Sequence, residues 1–230
     1  MKNRELKKFY NRVYVKGESH HYTKLRLAGK NLASDRAAVI AELSWKGKTV
    51  LDIGCGTGET AYLIAKKAAR RVVGLDYSAE AIAVATAAYQ QVNLFFEKKD
   101  IKDMKEKFDV IITMGTLEHI DDPLALLKKC KSMLNPGGSI IITSPNWSNP
   151  RGYMLLTLWF LFHARITLVD LHYFTPIEFI GWAKKLGMIL QWRTVDQDWA
   201  HGKKLVADLT RRLPNVARDS KLPTTPARIA

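Results

Sequence analysis

Val50-Leu51-Asp52-Ile53-Gly54-Cys55-Gly56-Thr57-Gly58 is the stretch that decides how this chain is read. An apolar run ends in an acid, and three glycines follow at alternate positions. Glu59 to Arg70 then reads as a helix. A strand, a tight glycine turn and a helix start form the layout that holds a nucleotide-like ligand. Glycine reaches backbone angles that other residues avoid, and without a Cβ it lets a ligand approach the main chain. The open helix start presents N–H groups that have no partner inside the helix. The spacing narrows the ligand. A dinucleotide turn follows G-x-G-x-x-G. Here the third glycine comes one residue early, at Gly58, and Glu59 stands where that pattern wants glycine. An acid at the helix start also repels a pyrophosphate. The plain alternative is a structural glycine turn with no ligand.

The chain of 230 residues is 47% hydrophobic, which suits one α/β domain with room for a small insertion. Its two cysteines, Cys55 and Cys130, lie far apart, and neither has Cys or His neighbours at metal spacing. No metal site is expected, and a reduced, cytoplasmic setting is the simple reading. Met1 to Arg12 is charged and lacks the apolar core of a secretory signal. The net charge is +14, and it sits mostly at the ends. Residues 1–30 hold nine Lys/Arg against two Glu, and residues 201–230 hold seven against two Asp. Basic ends favour anionic membranes, nucleic acid or acidic ligands, or are merely solvated faces.

The periodicity predicts a short amphipathic helix over residues 2–16 and a helix capped by Ser34-Asp35 that runs to about Leu43. Strands are expected at Thr49 to Ile53, Arg71 to Asp76, Val92 to Glu97, Phe108 to Thr113, Ser139 to Thr143 and Met188 to Val195. Ser78 caps an alanine-rich helix, Asp122-Pro123 and Thr175-Pro176 open two more, and Gly187 stops the last of these. Asn135-Pro136-Gly137-Gly138 reads as a turn. Residues 201–213 look helical and 214–230 an irregular basic tail. Strands alternating with helices imply an α/β, doubly wound, mostly parallel sheet with helices on both faces and no seventh strand. Three regions follow: an N-terminal lid over residues 1–33, the main domain over 34–213 with an apolar insertion at 145–172, and the tail. Tyr153 to Phe162 is almost wholly apolar but too short to span a bilayer. It reads as a buried or lid helix, or as a segment lying in a membrane surface.

The D-x-G-x-G-x-G spacing resembles motif I of class I S-adenosylmethionine-dependent methyltransferases, and residues 48–145 resemble their cofactor half. The resemblance implies a Rossmann-like fold and S-adenosylmethionine as cofactor. Its positive sulfonium tolerates acidic neighbours. Asp52 then faces the methionine ammonium, and Gly54, Cys55, Gly56, Thr57 and Gly58 form the cradle. Asp76 accepts from the ribose hydroxyls beside Tyr77. Asp100 accepts from the adenine amino group, and Ile101 packs on the ring. Leu117-Glu118-His119 and Phe174-Thr175-Pro176-Ile177-Glu178-Phe179 resemble segments of the ubiquinone-biosynthesis O-methyltransferases. Lys24-Leu25-Arg26-Leu27 resembles their P-L-R-L segment, which gives Arg26 the cofactor carboxylate, and Met114 falls where they have a cofactor-contacting methionine.

Those enzymes use the apolar excursion to meet a membrane and a polyprenyl substrate, which suits residues 153–169. Some members hold magnesium with E-x-x-E-H, but Gly115 replaces the first glutamate here. That replacement weakens the metal site that the resemblance implies. The expected reaction is methyl transfer to a small, apolar or lipid-like acceptor at oxygen. His119 is the candidate base, since imidazole titrates near neutrality, and Glu118 either orients it or caps the following helix. A structural role for His119 stays open. Tyr14, His20, Trp147, Tyr153, His172 and Tyr173 are candidates for the acceptor pocket. An RNA methyltransferase using the basic ends is the alternative. The chain lacks the N-P-P-Y type sequence that positions a base in amino-methyltransferases, which counts against it.

Overall fold

The computed structural model describes residues 32–163, 170–196 and 201–219. The chain divides into two compact units, Met1–Ser144 and Pro145–Ala230. The first unit is built on five parallel strands: β1 (Thr49–Ile53), β2 (Arg71–Asp76), β3 (Leu94–Lys98), β4 (Phe108–Met114) and β5 (Leu134–Thr143). Their order in the sheet is β3-β2-β1-β4-β5. Helices α1 (Ser34–Ala41), α2 (Glu59–Ala65), α3 (Ala79–Ala88) and α4 (Pro123–Ser132) belong to the same unit. The strand order reverses between β1 and β4, and in such sheets the crevice beyond the carboxyl ends of those strands is where a ligand fits.

The sequence explains the middle of the sheet well. Val50, Val72, Val110 and Ile112 are fully or almost fully buried and pack with Ile64 and Ala61 of α2 and Val39 of α1. Strands covered on both faces read as continuous apolar runs. Ser78 caps α3 by accepting from the Ala81 N–H at 3.2 Å, and Asp122 caps α4 by accepting from the Ala125 N–H at 2.9 Å. Ser34 is the first residue of α1 rather than its cap. Ala33 stands at the cap position, and the helix ends at Ala41.

Two strand expectations in the first unit need correction. Asn135-Pro136-Gly137-Gly138 does not separate β5 from α4, because β5 already starts at Leu134. The four residues form an irregularity inside the strand, between the Phe108–Leu134 and Val110–Ser139 pairs. Gly137 takes φ 73° there, and Asn135 donates to Asp109 Oδ1 at 2.8 Å. β3 starts at Leu94, and Val92 before it is exposed.

The second unit contains α5 (Pro150–Phe162), α6 (Pro176–Leu186) and α7 (Gly202–Asp219). Asn149 caps α5 by accepting from the Gly152 N–H at 2.9 Å. Gly152 has no room for a side chain, since a Cβ would sit 2.6 Å from the Trp147 carbonyl carbon. α6 begins with a capping box. Thr175 Oγ1 accepts from the Ile177 N–H, and Glu178 accepts from the Thr175 N–H at 2.7 Å. Gly187 ends α6 in the left-handed region at φ 59°. Met188 to Val195 is not a strand, which corrects the sixth-strand expectation. Ile189 is 95% exposed, and no described strand pairs with the segment. α7 runs on through Pro214 to Asp219, past the point where the sequence reads as an irregular tail. No helix among the described residues is long and apolar enough to cross a membrane.

Candidate active site

The glycine turn folds back over β2. Gly54 and Cys55 both donate their N–H to the Leu75 carbonyl, at 2.8 and 3.0 Å. Gly54, Gly56 and Gly58 take φ 71°, 53° and 87°, angles that favour glycine. A Cβ on Gly54 would strike Thr116, and one on Gly58 would lie 2.5 Å from Phe96 Cζ. Glycine is thus required for both backbone angle and space.

Three acids gather around this turn. Asp76, at the end of β2, accepts from the Gly56 N–H at 3.0 Å through Oδ2 and from the Ser78 N–H at 2.8 Å through Oδ1. A carboxylate has about four lone-pair sites, so both oxygens keep acceptor capacity. Burial raises the Asp76 carboxyl above its ordinary value, while the main-chain N–H groups pull it back. Glu59, buried at the start of α2, accepts from the Thr57 hydroxyl at 2.8 and 2.7 Å. Asp52, at the end of β1, is 2% exposed. No hydrogen bond to its carboxylate exists among the described residues. Its carboxyl is pushed up to about 7 by burial, helped by Asp76 and Glu59 and opposed by Arg36.

Arg36 is a neighbour of this site that sequence reading missed. It lies on α1, donates through Nε to Thr60 Oγ1 at 3.1 Å and acts electrostatically on Asp52. Thr60 Oγ1 in turn contacts Met114 Sδ at 3.5 Å, so α1, α2 and β4 meet at one place. The only signal was an arginine on the helix before β1, hidden in a basic N-terminal half. Arg26, Tyr14 and His20 lie outside the described residues.

Beyond Met114 the chain turns through Gly115, at φ 54°, into a single 3-10 turn, Leu117–His119. The Gly115 N–H donates to the Thr143 carbonyl at 3.0 Å, and Thr116 Oγ1 donates to the Met114 carbonyl at 3.0 Å. Leu117 and Glu118 are buried, and His119 is half-buried. Asp100 is exposed and accepts from the Lys102 N–H at 2.9 Å, while Ile101 opens a 3-10 turn half-buried and Tyr77 is exposed. The structure therefore brings Asp52, the glycine turn, Asp76 and Met114 together through hydrogen bonds and strand pairing.

The second unit separates its own candidates. Trp147 is buried with Leu155 and Leu209, and Tyr173 meets it edge-on at 4.8 Å, so both belong to a packed cluster. His172 stacks on Phe174 at 5.4 Å, and Tyr153 is exposed on α5.

The fit to S-adenosylmethionine rests on what the turn leaves open. Gly54 and Gly58 admit no side chain, Asp52 is buried with no hydrogen bond to its carboxylate among the described residues, and Asp76 keeps acceptor sites. Residues 23–188 match the family described as methyltransferase domain, and the chain belongs to that family. More narrowly, it is an S-adenosylmethionine-dependent methyltransferase of the class I fold, and S-adenosylmethionine is its methyl donor. It is 32% identical to the ubiquinone biosynthesis O-methyltransferase of Coxiella burnetii over 158 residues, 65% of this chain and 67% of that protein. Two solved structures share the fold. Magnesium protoporphyrin IX methyltransferase from Synechocystis PCC 6803, solved with bound SAH, aligns at TM-score 0.62 and 17% identity, over 81% of this chain and 91% of that one. An S-adenosylmethionine-dependent methyltransferase from Mesorhizobium loti aligns at TM-score 0.57 and 20% identity, over 84% and 94%.

Proposed function

We propose that this enzyme methylates an oxygen atom of a small, apolar or lipid-like acceptor. The observation that carries the reading is the similarity to ubiquinone biosynthesis O-methyltransferase, beside the Leu117-Glu118-His119 turn at the end of β4, whose sequence resembles a segment of those enzymes. Bound S-adenosylmethionine supplies an activated methyl group on a sulfonium. The protein's task is to position the two reactants and exclude water. Arg36 and Asp52 take the cofactor's carboxylate and ammonium, and Asp76 takes its ribose hydroxyls. Asp100 and Ile101 take the adenine, from a more open position at the end of β3. His119 removes the acceptor's hydroxyl proton, with Glu118 buried beside it on the same turn.

The apolar character of the acceptor is supported by α5. Tyr153, Met154, Phe160, Leu161 and Phe162 are all exposed on that one helix. Exposed apolar groups at this density mark a surface that meets something apolar. We take it to be a membrane surface or the acceptor's own chain. The test is a methylation assay with labelled cofactor and a panel of polyprenyl phenols, catechols and RNA. Transfer to a phenolic hydroxyl, reduced in His119→Ala with unchanged cofactor affinity, is the expected result. Labelling of RNA alone, or full turnover in His119→Ala, would overturn the acceptor or the base respectively.

A further inference from the structure

Glu59 is a buried acid to which the chemistry above gives no task. It opens α2 directly after the glycine turn and is 5% exposed. Among the described residues its carboxylate takes one hydrogen-bond donor, the Thr57 hydroxyl, whose single proton lies between Oε1 at 2.8 Å and Oε2 at 2.7 Å. A carboxylate offers about four acceptor sites, so this one bond leaves most of its capacity unused. An acid in the first turn of a helix is favourable. An exposed acid would serve that purpose without the penalty of burial.

Two further acids share the turn. Asp76 is 8% exposed and is held by the N–H groups of Gly56 and Ser78. Asp52 is 2% exposed and accepts no hydrogen bond among the described residues. Glu59 and Asp76 both act on Asp52 electrostatically, and among the described residues Arg36 is the one cation that opposes them. All three acids also act on Cys55, inside the turn itself. Three carboxyl groups against one guanidinium give the turn a negative field, and burial protects that field from screening by water and salt.

The chemistry of the ligand makes such a field selective. The cofactor carries an ammonium, a carboxylate and a sulfonium, so its net charge is positive. Its demethylated product has a neutral thioether and no net charge. The ammonium, carboxylate, ribose and adenine are common to both, so Asp52, Arg36 and Asp76 serve both ligands alike. A carboxylate outside that shared set is the group that can tell them apart.

We propose that Glu59, held in place by Thr57, is a specificity residue that makes the cofactor site favour the charged sulfonium over the neutral thioether product. It acts on the ligand through its field, and the preference eases release of the product. The inference concerns the methyl donor alone, so it stands or falls separately from the phenolic acceptor.

The test is calorimetry on the full-length protein with S-adenosylmethionine and S-adenosylhomocysteine. It is run at about pH 8, above the value of about 7 near which Asp52 titrates, so that Asp52 is ionised throughout. The wild type is expected to bind S-adenosylmethionine more tightly. Glu59→Gln keeps an acceptor for Thr57 and nearly the same volume, but removes the charge. It should weaken S-adenosylmethionine about tenfold, the scale of one partly screened charge interaction, and S-adenosylhomocysteine less than about twofold. Glu59→Asp, which keeps the charge, should keep the preference. Glu106→Gln removes an exposed carboxylate ahead of β4, at the opposite edge of the sheet from the turn, and should leave the ratio of the two affinities within about twofold. Equal losses for both ligands in Glu59→Gln would reduce Glu59 to a packing role and overturn the proposal. So would an unchanged ratio, a shift of the same size in Glu106→Gln, or a wild type that binds S-adenosylhomocysteine as tightly as S-adenosylmethionine. The last measurement needs no variant to fold.

Discussion

Gly58 holds φ at 87° with Phe96 packed where a side chain would go. Gly58→Ala is expected to cost about 1–2 kcal/mol of stability, the usual penalty of a left-handed alanine, and to weaken cofactor binding further by moving Phe96. Urea unfolding and calorimetry measure the two effects separately. Asp52 gives a sharper expectation. A carboxyl raised from 3.8 to about 7 contributes stability below 3.8, and that stability is lost as pH rises through 7. A cationic cofactor beside it reverses the trend. Affinity for S-adenosylmethionine should therefore rise with pH up to about 7, with proton release on binding below that value. Calorimetry in two buffers of different ionisation heat measures the release, and Asp52→Asn should abolish it. A buffer-independent heat in the wild type would count against the assignment. At this scale the sequence was legible where residue type and strand end coincide, as at Asp52, Gly54 to Gly58 and Asp76. Arg36 was not, because its significance comes only from α1 packing against α2 and β4.

At the scale of elements, Asp208 of α7 accepts from Arg151 of α5 at 2.7 Å and so holds the two helices together, and its pH dependence runs opposite to that of Asp52. A carboxyl lowered from 3.8 to about 2 contributes stability above 3.8 that is lost as pH falls through 2. The amount is about 2 kcal/mol, taking roughly 1.4 kcal/mol per pKa unit. Helix content followed in urea between those pH values should show the second unit loosening, and Asp208→Asn should remove the dependence while lowering stability at neutral pH. Strands β1, β2 and β4 were legible because each is buried on both faces and so reads as an apolar run. β5 was cut short because its Asn-Pro-Gly-Gly segment carries turn chemistry yet is absorbed as an irregularity opposite Asp109. Met188 to Val195 has strand-like residues, but strand propensity needs a neighbouring ladder, and none of the described strands supplies one. The capping box of α6 was legible from Thr175-Pro176-Ile177-Glu178 alone, because every partner lies within one turn.

At the scale of the whole molecule, the alternation of strands and helices was enough to expect a doubly wound sheet. The β3-β2-β1-β4-β5 order places the glycine turn at its switch point. The acceptor was far less legible, since it depends on three-dimensional neighbours rather than on a local motif. Its reading draws on the similarity to ubiquinone biosynthesis O-methyltransferase and on the exposed face of α5. The excess positive charge gives a further expectation. Residues 145–230 carry twelve Lys/Arg against six Asp/Glu, so vesicle binding should weaken steeply as salt rises from low to physiological strength. Flotation with anionic vesicles at several salt concentrations checks it. The most direct measurement of the central claim is transfer of isotopically labelled methyl groups from S-adenosylmethionine to a lipid extract by the wild type and by Asp76→Ala. The account predicts label in a lipid-soluble aryl ether, lost in Asp76→Ala at cofactor concentrations that saturate the wild type. Label confined to RNA or protein, or undiminished lipid labelling by Asp76→Ala, would contradict it.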